Sequence, residues 1–260
     1  MLLAAGANPN LTVNRLSGTN PIQVASAKGH NDVVEILLPV MNRKDSIEGL
    51  RAAANKKFRS TILLYKDKYL DEVLYYASKL GWRDVVEEIL LHGAKTVFEF
   101  PRRHNWNNEG KLSALTAASE RGFEEIVAIL IANNADVKQI NTHDDSLQAA
   151  CFNGYENIVQ QLLAAGAIPT KRNGYYGGAF QAAAQNGHLE ILRLLIEHGT
   201  DVNQVSHPQR TCSDPASFGT AIQAVAYKGH EDVFKFLVGV GADINSSSEG
   251  YPSPLQCASK

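Results

Sequence analysis

The chain has 260 residues, a formal net charge of −2 at neutral pH and a pI of about 6.4. That balance argues against a nucleic-acid or membrane-surface partner, and no stretch approaches the length of a membrane span. Cys151, Cys212 and Cys257 are odd in number and far apart, which fits buried thiols in a reducing compartment better than a disulfide framework.

In chain order, Met1 to Asn10 reads as the tail of a helix whose mate is missing. A phrase then begins to return: an apolar residue, often Gln, two small residues, and a glycine seven positions after the first. It occurs as Ile22-Gln23-Val24-Ala25 before Gly29, and as Leu50-Arg51-Ala52-Ala53 before Lys57, which stands where the glycine should be. Leu74-Tyr75-Tyr76-Ala77 precedes Gly81, and Leu115-Thr116-Ala117-Ala118 precedes Gly122. Leu147-Gln148-Ala149-Ala150, Phe180-Gln181-Ala182-Ala183 and Ile222-Gln223-Ala224-Val225 precede Gly154, Gly187 and Gly229, and Leu255-Gln256-Cys257-Ala258 opens a last copy. The spacings are 28, 24, 41, 32, 33 and 42 residues. Repeats of this size cannot each bury an apolar face alone, so the pattern predicts stacked units with function on a surface.

Residues 177–206 show the plan of one unit. An alanine-rich segment, Phe180 to Asn186, favours a short helix that a neighbour can approach closely. Gly187 closes it in the left-handed conformation. Ile191, Leu192, Leu194 and Leu195 then form the apolar stripe of a second helix, with Glu190 at its positive end. Between Gly29 and Gly81 the units are too short for a turn finger, and Leu38-Pro39 ends a second helix early. That stretch is locally basic, with Lys44, Arg51, Lys56, Lys57, Arg59, Lys66 and Lys68. It reads as a solvated helix face or as a surface for an acidic partner.

The two long spacings hold insertions, from Lys95 to Gly110 with Phe98, Phe100 and Trp106, and from Gln204 to Gly219. Aromatic and arginine side chains on such fingers either anchor an interface or fold back as a local cluster. Gly174-Tyr175-Tyr176-Gly177-Gly178 lacks the lysine and preceding strand of a phosphate loop and reads as a turn finger. The histidines have no metal-ligand spacing, and no nucleophile, base and orienting acid recur together.

The unit resembles the ankyrin repeat. Gly-His recurs at Gly29-His30, Gly187-His188 and Gly229-His230, and Gly-Ala at Gly6-Ala7, Gly93-Ala94, Gly166-Ala167 and Gly241-Ala242, the last continuing as Asp243-Ile244-Asn245. One departure is systematic: Gln23, Gln148, Gln181, Gln223 and Gln256 stand where the family has His. Gln both donates and accepts, so it is expected to bridge backbone groups of adjacent turns without titrating near neutral pH. This variant is similar to ankyrin arrays abundant in fungal proteins, often attached to nucleotide-binding signalling domains.

The resemblance implies an all-α solenoid of helix-turn-helix units with turn fingers, about six to seven full or degenerate units in all. A single array over 1–260 is expected: a partial unit at 1–17, units at 18–46, 47–69, 70–110, 111–142, 143–174, 175–216 and 217–250, the second and third degenerate, and a partial unit at 251–260. It further implies a non-catalytic, intracellular module, cytoplasmic or nuclear, with no cofactor or metal. It would bind a protein partner, not nucleic acid or membrane, as a monomer or part of a longer chain. Variable residues before each glycine would face the concave side. They are Glu120, Arg121, Phe152, Asn153, Gln185, Asn186, Tyr227 and Lys228, joined by finger residues Trp106, Tyr175 and Tyr176. A sensor segment of a larger nucleotide-binding protein and, more distantly, an enzyme remain open.

Overall fold

A computed structural model describes residues 3, 6–10, 19–99, 111–138, 145–169, 177–205, 219–246 and 252–259. They fall into two compact units, residues 1–105 and 106–260. Both are helical apart from two three-residue strands.

The first unit runs α1 (Pro21–Lys28), α2 (Asn31–Leu37), α3 (Arg43–Asn55), α4 (Arg59–Leu63), α5 (Leu70–Leu80), α6 (Arg83–Leu91) and β1 (Val97–Glu99). Ile22, Leu50 and Leu74 open the repeated phrase and are fully buried. Packing of α1 on α3 is close because small residues meet there: a methyl at Gly49 would lie 2.5 Å from the Tyr65 hydroxyl and 3.2 Å from Ser26 Oγ. Those two hydroxyls are hydrogen-bonded at 2.7 Å, and burial pushes the Tyr65 phenol well above its ordinary range.

The short units behave as the spacing predicts. Helix α2 ends at Leu37, just before Leu38-Pro39, and α4 has only five residues. Ion pairs tie successive repeats together. Arg43 pairs with Glu72 at 2.8 Å, Lys66 with Glu88 at 2.8 Å, and Arg59 with Asp84. Lys57 closes α3 at φ 58, in the left-handed conformation that Gly29 and Gly81 use elsewhere in this unit.

The second unit runs β2 (Lys111–Ser113), α7 (Ala114–Arg121), α8 (Glu124–Ala132), α9 (Ser146–Asn153), α10 (Glu156–Ala164), α11 (Ala179–Gln185), α12 (Leu189–Glu197), α13 (Ala221–Lys228), α14 (Glu231–Gly239) and α15 (Pro254–Ala258). First helices α7, α9, α11, α13 and α15 pack in that order, and second helices α8, α10, α12 and α14 pack beside one another. The core repeats with the sequence: Leu115, Leu147, Phe180 and Ile222 are buried in the first helices. In the second helices it is Ile126 and Leu130, Ile158 and Leu162, Ile191 and Leu195, and Val233 and Leu237, each pair one turn apart on a single stripe.

Two of the five recurring glutamines, Gln181 and Gln223, bridge as expected. Gln181 Nε2 donates to the Gln204 carbonyl, and Gln204 Nε2 donates back to Gln181 Oε1, both at 3.1 Å. Gln223 accepts from the Thr220 N–H at 2.9 Å while its Nε2 donates to the Pro252 carbonyl at 2.9 Å. Thr220 with Gln223, and Ser253 with Gln256, form capping boxes, a helix-start device that the spacing of glycines does not reveal. Cys151 and Cys257 are buried, and burial raises the Cys151 thiol well above its ordinary range; Cys212 lies outside the described residues.

Candidate functional site

In the second unit α7, α9 and α13 end against a left-handed glycine and α11 stops one residue short of one, and the residues just before these glycines form a row across neighbouring repeats. At the end of α7, Glu120 and Arg121 are exposed, their charged groups 3.9 Å apart. Asn153, at the end of α9, is exposed and its Nδ2 donates to the Ala149 carbonyl one turn back at 2.9 Å. Lys228, at the end of α13, is exposed, with its Nζ 5.9 Å from the centre of the Tyr227 ring.

Four positions are more constrained than the variable sequence suggests. Gln185 is only 7% exposed, so it is not the packing-free side chain expected there. Gln185 is the last residue of α11, which Asn186 closes. Asn186 Nδ2 donates to the Phe152 carbonyl at 2.6 Å. Phe152 and Tyr227 are half-buried, Tyr227 packing against Ala224 and Cys257. Trp106, Tyr175 and Tyr176 lie outside the described residues, as do most of both insertions.

The Gly-His dipeptides have a structural task. His188 Nε2 donates to the Phe152 carbonyl at 3.1 Å, and His230 Nε2 to the Gln185 carbonyl at 3.0 Å. Each ring reaches back to the preceding repeat and satisfies a carbonyl that the end of a helix leaves without an intrahelical partner. Both rings also lie over the preceding repeat's glycine. An added methyl would meet His188 Cε1 at 2.5 Å on Gly154, and His230 Nδ1 at 3.0 Å on Gly187. Tyr155 does the same over Gly122 at 2.7 Å, and Phe58 over Gly29 at 3.5 Å. The signal was present in the residue after the left-handed position that follows each of α1, α3, α5, α7, α9, α11 and α13: His30, Phe58, Trp82, Phe123, Tyr155, His188 and His230 are all rings.

Among the described residues no group of three or more His, Cys, Asp or Glu could hold a metal ion, and none of their helices is long and apolar enough to cross a membrane. What the row offers is a mixed face: charge at α7, an amide at α9, and aromatic edge with a cation at α13. That is interface chemistry, in which half-buried rings supply contact area and exposed polar groups supply specificity.

The family model described as Ankyrin repeats (3 copies) matches residues 74–173 and 180–260. Over 87 residues the chain is 36% identical to Ankyrin repeat and SOCS box protein 5 of Oryctolagus cuniculus, covering 33% of this chain and 26% of that protein. Over 90 residues it is 37% identical to E3 ubiquitin-protein ligase XBAT33 of Arabidopsis thaliana, covering 34% and 17%. A longer match, 230 residues at 23% identity, is to Transient receptor potential cation channel subfamily A member 1 of Homo sapiens, covering 81% of this chain and 20% of the channel. The chain spans about a quarter or less of the length of these curated relatives.

Proposed function

The chain belongs to the ankyrin repeat family, whose members are generally non-catalytic protein-protein interaction modules, and on that premise we propose that it binds a protein partner along the first-helix ends of its second unit. Glu120, Arg121, Asn153 and Lys228 supply the exposed polar contacts, while Phe152 and Tyr227 supply half-buried contact area. The carrying observation is that adjacent repeats hold these ends in one register. The rings of His188 and His230 lock neighbouring helix ends together, so a partner meets a pre-organised row and little ordering entropy opposes binding. On sequence grounds alone Trp106, Tyr175 and Tyr176, which lie outside the described residues, are proposed as further contacts.

Exposed residues give the sharper test, because Phe152 and Tyr227 also carry packing. Quantitative capture from a lysate, run in parallel with the wild type and with Arg121→Glu/Lys228→Glu, identifies proteins whose recovery depends on this face. The purified candidate is then titrated against both. We expect binding to weaken roughly tenfold or more, with a melting temperature within a few degrees of the wild type. Equal affinity for the two proteins refutes the assignment.

A further inference from the structure

The two units carry opposite charge. Residues 1–105 hold 15 Lys and Arg against 11 Asp and Glu, a net +4, and residues 106–260 hold 10 against 16, a net −6. Several cations of the first unit are engaged internally: Arg43, Arg59 and Lys66 in ion pairs, and Lys68 through its Nζ donating to the Leu38 carbonyl at 3.2 Å. Lys28, Lys56 and Lys57 are different. All three are exposed, and none has a carboxylate within ion-pair distance among the described residues.

Their placement is systematic. Lys28 ends α1 and Lys56 caps α3, each immediately before the left-handed residue of its repeat, and α1 packs directly on α3. Lys28 also borders a groove of 270 Å³ lined by Thr19, Gln23, Val24, Ala27 and Ala52. Val24, in that lining, is 41% exposed. Attraction to the negative end of a helix accounts for a lysine at either helix end. It does not account for Lys57, which holds φ 58 where Gly29, Gly81, Gly122, Gly154, Gly187 and Gly229 hold the same conformation without the strain of a Cβ. Strain kept at an exposed charged position points to a use for that charge.

We propose that this groove, with Lys28 on its border and Lys56 and Lys57 at the end of the adjoining helix α3, forms a second docking surface, distinct from the row in the second unit, for an acidic peptide segment carrying apolar side chains. The apolar side chains lie on Val24, Ala27 and Ala52, and the carboxylates meet Lys28, Lys56 and Lys57. A peptide fits better than a nucleic acid. The groove lining has no aromatic platform for stacking bases, and the cations gather at the helix ends and do not track a long backbone.

The test uses the full chain and a fluorescein-labelled dodecapeptide of repeated Asp-Leu-Glu-Ser, read by anisotropy, with a labelled single-stranded oligonucleotide of equal charge as competitor class. We expect saturable peptide binding that weakens roughly tenfold in added salt or in Lys28→Glu/Lys56→Glu/Lys57→Glu. Lys57→Gly separates function from folding: it should raise the melting temperature by about a few degrees while weakening the peptide several-fold. The proposal falls if the wild type does not bind the peptide saturably, if the triple variant binds it equally, or if the oligonucleotide binds more tightly. It also falls if Lys57→Gly stabilises without loss of affinity. Arg121→Glu/Lys228→Glu should leave peptide affinity unchanged, so this surface and the one in the second unit fail separately.

Discussion

A left-handed glycine in this protein answers two demands, and the two can be measured apart. At Gly229, φ is +75 and an added methyl meets nothing within 4 Å; alanine there should cost about 1 kcal/mol, the conformational term alone. Gly154 holds nearly the same φ, +80, but its methyl would sit 2.5 Å from the His188 ring. Moving that ring also breaks its bond to the Phe152 carbonyl, so Gly154→Ala should cost about 3 kcal/mol in urea denaturation. Equal costs would show that the ring yields freely and that only backbone conformation matters. The glycines themselves are plain in the sequence because the conformation they adopt is local. The ring above Gly29, Gly122, Gly154 or Gly187 is harder to read, since it belongs to the next repeat some thirty to forty positions on and no local periodicity couples the two.

Among elements, the shortened units of residues 1–105 replace turn fingers with ion pairs, and acid should find them first. Lys66, through its hydrogen bond and charge, holds the Glu88 carboxyl below its ordinary range, and Arg59 does the same to Asp84. A lowered folded-state value stabilises above the usual carboxylate range of about 4 and is lost as pH falls through the folded value. Melting temperature should therefore decline on acidification below about pH 4, less steeply in Asp84→Asn/Glu88→Gln than in the wild type. Parallel curves for the two would remove these pairs from the account. Both pairs are exposed, so added salt should shrink the difference. The offset of seven residues from apolar start to the glycine position finds seven first helices, α1 to α13, with Lys57 in that position for α3, and the opening phrase Leu255-Gln256-Cys257-Ala258 alone marks α15. The start of α3 at Arg43 was less legible, because it is set by Asn42, whose side chain accepts from the Asp45 N–H at 2.9 Å. One capping residue decides that boundary, and many residues in this chain could have served.

For the molecule as a whole, repeats that touch mainly their sequence neighbours should lose stability locally. Ile62→Ala, at a fully buried site on α4, should speed amide hydrogen exchange in α1 to α5 while leaving α11 to α14 at wild-type protection; uniform acceleration throughout would mean a single cooperative block. The row of candidate contacts in the second unit could be named from sequence because position within a repeat implies a side. Which members are truly accessible could not, since Gln185, buried, and Glu120, exposed, stand at the same place two residues before their glycines. The stacking of one repeat's ring over the preceding repeat's glycine has a bearing on ancestry. The smallest inheritable module is not the repeat as punctuated by its glycines but a pairing that straddles two of them. Duplicating or shuffling repeats in such a chain therefore preserves stability only where the incoming ring finds bare backbone beneath it.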